Sequence, residues 1–297
     1  MLLVVGGTGD LGGRVVRRLI GQGVEVRCLV RPQTDAEELA RIGVKVIRGD
    51  LTDPASLAAA CAGVETVVAT ATVIGRRLAG VPGPSIRAAD EAGMADLISA
   101  AEEADVQRFV YVSFAGLDGA FGTPMENAKL AIEKRLSESP LRSVRVRPDA
   151  FQDIHLGPLG RFDVRAGKVA VIGKGDTRRR WVSTDDVAAL VAAVALEPDP
   201  PAVVTFGGPE AISKNEAIAI AESLTDHKIK TQRMPRPVAR LAIRLLSRRN
   251  DALASAFGAG LHQDLNAADW DDEPLRQRGI TPRSTTEFLR EQVSRLP

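Results

Sequence analysis

The sequence predicts an α/β fold built on a doubly wound parallel sheet, and three observations carry that prediction. Short apolar runs alternate with amphipathic stretches through the first half of the 297 residues, and repeated βα units of this kind form parallel sheets covered by helices on both faces. The first apolar run, residues 1–5, leads straight into Gly6-Gly7-Thr8-Gly9-Asp10-Leu11-Gly12, a glycine-rich bend between strand and helix. Beyond Pro148 the alternation loosens, and the last third reads as helical, which predicts a smaller, discontinuous C-terminal cap.

The elements follow in order. After strand one, Leu11, Val15, Val16, Leu19 and Ile20 recur at helical spacing. Gly6 permits the turn, Gly9 lets backbone approach a pyrophosphate, and Gly12 lets helix and strand pack closely. The N–H groups at the helix start, around Thr8, Asp10 and Leu11, then face the phosphates. Strand two, 24–30, ends at Arg31-Pro32. A helix over 35–42 leads to strand three, 44–48, which closes at Gly49-Asp50-Leu51. Asp53-Pro54 opens the next helix with an N-cap acid and a proline at its first position. Strand four, 64–71, ends in the small residues Ala69, Thr70 and Ala71, which let backbone pass close to a ligand.

A glycine- and proline-bearing loop, 75–84, precedes a long helix; strand five covers 108–112, another helix about 124–138, and strand six 143–147. Residues 151–180 read as glycine-rich turns with a short strand at 168–172. A helix from Thr184 to Leu196 and a strand at 203–206 return to the sheet, and from Ser213 the chain is mostly helical. This divides the chain into a Rossmann-type dinucleotide-binding domain over 1–150, with 181–206 returning to it, and a substrate or cap region made of 151–180 and 207–297. The ligand is expected at the carboxyl ends of the strands.

Bulk properties narrow the function. A net charge of +1 gives no overall field for nucleic acid or an acidic membrane. Cys28 and Cys61 lack metal spacing and read as reduced packing residues, one in a strand and one ending a helix. No apolar run reaches the roughly 18 residues of a membrane span, and the first run is too short for a signal peptide. These features predict a soluble, cytoplasmic protein without a metal, a monomer or homodimer.

The residue ending strand two selects the coenzyme, because an acid there would hold the adenosine ribose hydroxyls. Arg31 stands there, and no acid appears before Asp35. A guanidinium suits a 2′-phosphate, so NADP(H) is favoured over NAD(H); the bland alternative is a solvent-exposed arginine before proline. Asp50 and Leu51 are placed to contact the adenine, or Asp50 is simply a turn acid.

Taken together, Gly6-Gly7-Thr8-Gly9-Asp10-Leu11-Gly12, Cys28-Leu29-Val30-Arg31, Gly49-Asp50-Leu51 and Tyr111-Val112-Ser113 resemble short-chain dehydrogenase/reductases of the atypical, NmrA-like branch. Lys129 with Glu133, Arg147-Pro148 before Phe151, Val182-Ser183-Thr184-Asp185-Asp186-Val187-Ala188 and Gly207-Gly208-Pro209-Glu210 extend the resemblance over about positions 1–225. It implies an NADP(H)-binding reductase of a small quinone-like or conjugated carbonyl acceptor. The alternative within the same branch is a non-catalytic NADP(H)-sensing regulatory or assembly protein with a protein partner.

The resemblance also implies a Tyr-x-x-x-Lys relay, in which lysine lowers the tyrosine pKa. Lys129 stands at the lysine position, where it is expected to hold the nicotinamide ribose and is the candidate catalytic residue. Four residues earlier stands Met125, and the lone tyrosine, Tyr111, lies inside strand five. Ser113 falls one place early, with Phe114 where the supporting hydroxyl belongs. Asp149, Phe151, Asp153 and His155 fall where the branch places its nicotinamide and substrate pocket. Phe151 is a candidate wall for the nicotinamide or a core residue, and His155 a candidate replacement acid or a structural group. His227 and His262 have no partners at ligand spacing. Arg178-Arg179-Arg180 reads as a solvated charge run, Asp185 and Asp186 as helix-capping acids. Residues 238–246 read as a cap helix with its arginines in water, or as a helix lying on a membrane or a partner.

Overall fold

The structure is a computed structural model that describes residues 1–225 and 227–294. Along the chain lie β1 (Leu2–Val5), α1 (Asp10–Gly21), β2 (Val26–Val30), α2 (Glu37–Arg41), β3 (Lys45–Arg48), α3 (Pro54–Cys61), β4 (Thr66–Ala69) and α4 (Ile74–Leu78). A π-helical turn (Arg87–Gly93) leads into α5 (Met94–Glu103), β5 (Arg108–Val112), α6 (Pro124–Ser137) and β6 (Arg142–Pro148). Then come α7 (Gln152–His155), β7 (Phe162–Asp163), β8 (Lys168–Ile172), α8 (Thr184–Leu196), β9 (Val203–Phe206), α9 (Lys214–Thr225) and β10 (Lys230–Met234). Four helices close the described chain: α10 (Arg236–Leu246), α11 (Asp251–Leu265), α12 (Glu273–Arg276) and α13 (Thr285–Ser294).

The large sheet is seven-stranded and parallel, in the order β3-β2-β1-β4-β5-β6-β9. This is the doubly wound Rossmann arrangement, and the late strand at 203–206 returns to it. Val4 pairs Cys28 on one side and Val68 on the other, so the strand order reverses at β1 and opens a crevice at the carboxyl ends of β1 and β4. β1, β4 and nearly all of β5 are buried, which is why their sequences are continuous apolar runs rather than alternating ones.

Two compact units divide the chain. The first comprises Met1–Ser113, Pro124–Val146 and Val187–Val204. Its core sets Leu3, Val5, Val67, Phe109 and Tyr111 against Leu57, Leu97, Ile98 and Ile132. Cys28 and Cys61 are free and buried, as packing residues should be. Asp53 is the N-cap of α3, but its side chain makes no capping bond; the turn is held by Ser56 Oγ, which donates to Asp53 O at 2.8 Å. The first part of the stretch expected as a loop, 75–84, belongs to α4, which starts at Ile74. The long helix after it begins as the π turn, whose Gly93 lies so close to Leu51 that an added Cβ would be 2.4 Å from the Leu51 carbonyl oxygen.

The second unit comprises Phe114–Thr123, Arg147–Asp186 and Thr205–Pro297. It carries a three-stranded sheet, β10-β8-β7, with β8 parallel to β10 and antiparallel to β7. β10 adds a strand to the C-terminal region expected to be mostly helical: its sequence, Lys-Thr-Gln-Arg-Met, is a polar edge strand with little apolar signal. The core of this unit includes Phe162, Val169, Val171, Trp181, Ala217 and Leu289.

Candidate functional site

The glycine bend is built by contacts that leave no room for side chains. Gly6 has φ +102°, and a Cβ there would lie 2.7 Å from both Ala71 N and Thr70 Oγ1. The Gly9 N–H donates to Gly6 O at 2.9 Å and closes the turn. A Cβ on Gly12 would stand 2.2 Å from the same Gly6 oxygen, so this glycine sets how closely α1 lies on β1. Thr70 locks the neighbouring strand end, its backbone N–H and its hydroxyl both donating to Val5 O. Ala69 is buried and Ala71 half-buried beside it.

Gly9 is the N-cap of α1, and no side chain caps the helix. The first-turn N–H groups, including those of Asp10, Leu11 and Gly12, therefore lack intrahelical acceptors and carry the positive end of the helix dipole. Thr8, Gly9 and Asp10 are exposed, while the Asp10 carboxylate is drawn aside by Arg14 Nε at 2.8 Å. Beneath the bend, Cys28 Sγ fills the space where a Gly7 side chain would be, and burial pushes its thiol up to about 12, so it stays protonated and inert. An open row of backbone donors on a cradle that a Cβ would fill fits a pyrophosphate.

Beside the bend, Gly7, Thr8, Gly9, Asp10, Gly13, Arg17, Asp35, Ala36, Glu38 and Leu39 line a cleft of about 310 Å³. Arg17, which sequence reasoning did not single out, is held there by Glu38 at 2.7 Å. Arg31 is half-buried at the end of β2. Arg48 Nη1 fixes the backbone around it by donating to the carbonyls of Arg31 and Thr34. Burial and nearby Arg76 pull the Arg31 pKa down, and Asp50 opposes them; no described carboxylate makes an ion pair with it. Asp50 Oδ1 accepts from Thr52 N and Thr52 Oγ1, the geometry of a turn acid, and Leu51 packs against the core of the first unit.

Lys129, on α6, is half-buried, and its Nζ donates to Val112 O at 2.7 Å while lying 4.5 Å from the Tyr111 ring centroid. Burial lowers its pKa, and Asp90 and Glu133 oppose the shift. Tyr111 is 1% exposed, its hydroxyl has no hydrogen-bond partner among the described residues, and burial with Asp90 and Glu133 drives its pKa well above the usual phenol value. Ser113 is buried with its hydroxyl likewise unbonded. At the tyrosine position the half-buried Met125 offers no proton.

The remaining candidates lie in the second unit. Phe151 is half-buried at the N-cap of α7 and bridges Val182. Asp153 accepts from Thr184 N and Oγ1. The charge run at 178–180 is not wholly solvated: Arg179 is 2% exposed and pairs with the fully enclosed Asp149, donating to it from Nε at 3.1 Å and from Nη2. Asp149 also accepts from Arg180 N and from Trp270 Nε1, so the hidden arginine is a structural hub. Only Arg178 is exposed, paired with Glu216. Asp186 is buried and accepts from Arg283 N, while Ser183 Oγ supplies the capping acceptor for α8.

His155 meets Gln263 through Nδ1 at 3.1 Å. Burial, with Lys214 and Arg179 nearby, lowers its pKa to about 3, so it remains neutral and is no charged acid at ordinary pH. Phe114 stands edge-on to His262, His227 is exposed, and no metal-ligating cluster exists among the described residues.

Comparison with known proteins places this geometry. A family model described as NAD(P)H-binding matches residues 6–198. The chloroplastic protein High Chlorophyll Fluorescence Phenotype 244 of Arabidopsis thaliana is 32% identical over 248 residues, 82% of this chain and 60% of that protein. The photosystem II assembly factor Ycf39 of Synechocystis is 28% identical over 310 residues, covering 99% of this chain and 91% of that protein. Among solved structures, an NADPH-dependent quinone oxidoreductase of Escherichia coli complexed with NADPH superposes with a TM-score of 0.76 at 21% identity, covering 99% of each chain. The chain belongs to the NAD(P)H-binding family.

Proposed function

We propose that this NAD(P)H-binding protein takes NADP(H) and acts as a coenzyme-responsive regulatory or assembly protein, not as a turnover reductase. One observation carries the reading: the proton relay has no phenol. Met125 stands four residues ahead of Lys129, the only tyrosine is sealed in the sheet, and the Lys129 ammonium gives one of its three N–H donors to the Val112 carbonyl. What remains is a binding site with its phosphate cradle intact. The relatives named as photosystem II assembly factors support the same choice, with a protein partner as the recipient of the coenzyme signal.

The phosphorylated coenzyme is favoured because Arg31 closes β2 without a carboxylate partner, free to meet a 2′-phosphate. When bound, the coenzyme supplies a hydride equivalent. Lys129 would orient the ribose, and Phe151 is the candidate wall for the ring.

The second reading is a reductase of quinone-like or conjugated acceptors, in which Lys129 is catalytic. Its support is the lowered Lys129 pKa, which makes the ammonium a better acid, and acceptors of that class ask little of a proton donor.

Calorimetry with NADPH and NADH, paired with NADPH oxidation assays across quinones and enals, separates the two. Uptake of NADPH without turnover is expected. Steady turnover abolished by Lys129→Met would transfer the conclusion to the reductase.

A further inference from the structure

α10 is anchored on one side and bare on the other. Ala239 and Ile243 are buried against Leu261 of α11, and Arg236 Nε closes that side on the buried Asp264 at 2.5 Å. On the outer face Val238, Leu241 and Leu245 are 50%, 56% and 64% exposed. Their i, i+3, i+7 spacing aligns them in one stripe. Arg240 and Arg244 lie on the same helix at i, i+4 spacing, and Arg248 and Arg249 follow in the turn just beyond its end. All four arginines are exposed, and none pairs with a described carboxylate. No Asp or Glu occurs between residues 228 and 250, in a chain whose net charge is only +1. This segment is therefore locally basic with no acidic residue of its own.

We propose that the outer face of α10 docks on an anionic lipid bilayer, with Val238, Leu241 and Leu245 entering the headgroup boundary and the flanking arginines contacting lipid phosphates. Area and charge choose this occupant. The three side chains expose on the order of 300 Å², well short of the roughly 800 Å² per partner of a stable protein interface. An interfacial helix needs no such complementary area, since shallow apolar insertion and Coulomb attraction add together. A second copy is disfavoured, because a two-fold contact along the stripe would bring the arginines of the two copies toward each other. No helix among the described residues is long and apolar enough to cross a membrane, so the contact is peripheral. The inference does not depend on coenzyme binding.

The test uses the full chain and flotation with vesicles of equimolar phosphatidylglycerol and phosphatidylcholine, against vesicles of phosphatidylcholine alone. Binding to the anionic vesicles only, weakened by salt, is expected. Arg240→Gln/Arg244→Gln/Arg248→Gln and Leu241→Gln/Leu245→Gln should each weaken partitioning about tenfold or more, with melting temperature unchanged because these side chains face solvent. A fluorophore on Ala242→Cys should shift to the blue on the anionic vesicles. Absence of flotation overturns the proposal, as does full binding by the leucine variant. A dimer that the leucine variant dissolves, with no vesicle binding, would assign the face to self-association instead.

Discussion

Gly12→Ala isolates the cradle from the rest of the fold. The added Cβ would stand 2.2 Å from Gly6 O, 2.6 Å from Gly6 C and 2.7 Å from Thr70 Oγ1. Carbon–oxygen contacts settle at roughly 3.3 Å, so the start of α1 must retreat from β1 by about 1 Å. That displacement stretches the backbone hydrogen bonds to a pyrophosphate past their working range. Hydrogen bonds to charged groups contribute about 1.5–3 kcal/mol each, and loss of two weakens NADPH binding by roughly 10²- to 10⁴-fold. Crowding a packed contact costs about 1–3 kcal/mol of stability. Gly21→Ala, at the other end of the same helix, is the internal control: nothing lies within 4 Å of its Cβ. It should leave binding unchanged and gain up to about 1 kcal/mol of helix stability. Calorimetry with NADPH and urea unfolding of both variants read the two effects separately. If folded Gly12→Ala protein binds NADPH like the parent, the bend is not the phosphate site.

Three further outcomes are expected. Arg31→Gln should cost NADPH about 10- to 100-fold in affinity and leave NADH nearly unchanged, as competitive calorimetry would record. Asp149→Asn leaves Arg179 charged and enclosed without its counterion, a loss of about 3–5 kcal/mol; both tryptophans, Trp181 and Trp270, lie in this unit, so their fluorescence follows its unfolding. The folded His155 pKa of about 3 lies below the ordinary 6.5. Above pH 6.5 the ring is neutral in both states; as pH falls below that value the unfolded chain takes the proton and the folded one does not. Stability should therefore drop by up to about 1.4 kcal/mol per pH unit toward pH 3, and His155→Gln should flatten urea midpoints measured across that range.

The sheet and the cradle were legible because their causes are local. A strand buried on both faces must be apolar throughout, as β1 and β4 are, and a bend at φ +102° admits little but glycine. Met125 in place of a tyrosine could likewise be read directly. The hidden features depend on distant partners. Nothing in Arg178-Arg179-Arg180 says that the middle residue turns inward, because its counterion, Asp149, lies thirty positions away in sequence. β10 forms because β8 offers it an edge, not because its polar sequence prefers a strand. The exposure of Leu241 and Leu245 was also beyond reach: an amphipathic sequence shows that a helix has two faces, while the fold decides which one is covered.

The arrangement around Lys129 supports the proposed reading, in which coenzyme is bound without a tyrosine relay. In the relay a lysine charge lowers the pKa of a phenol one helical turn away. Here the one phenol touching Lys129 belongs to Tyr111, and burial together with Asp90 and Glu133 pushes its pKa up. The two effects are opposed, so Tyr111 cannot replace the missing residue by proximity. The lysine is nevertheless held, by the Val112 carbonyl and the aromatic face, at the end of β5. On the proposed reading this fixed lysine and the glycine bend, where a Cβ on Gly6 or Gly12 would clash, both serve the coenzyme. If the proposal holds, the chain binds a dinucleotide with Met125, not a phenol, four residues ahead of Lys129.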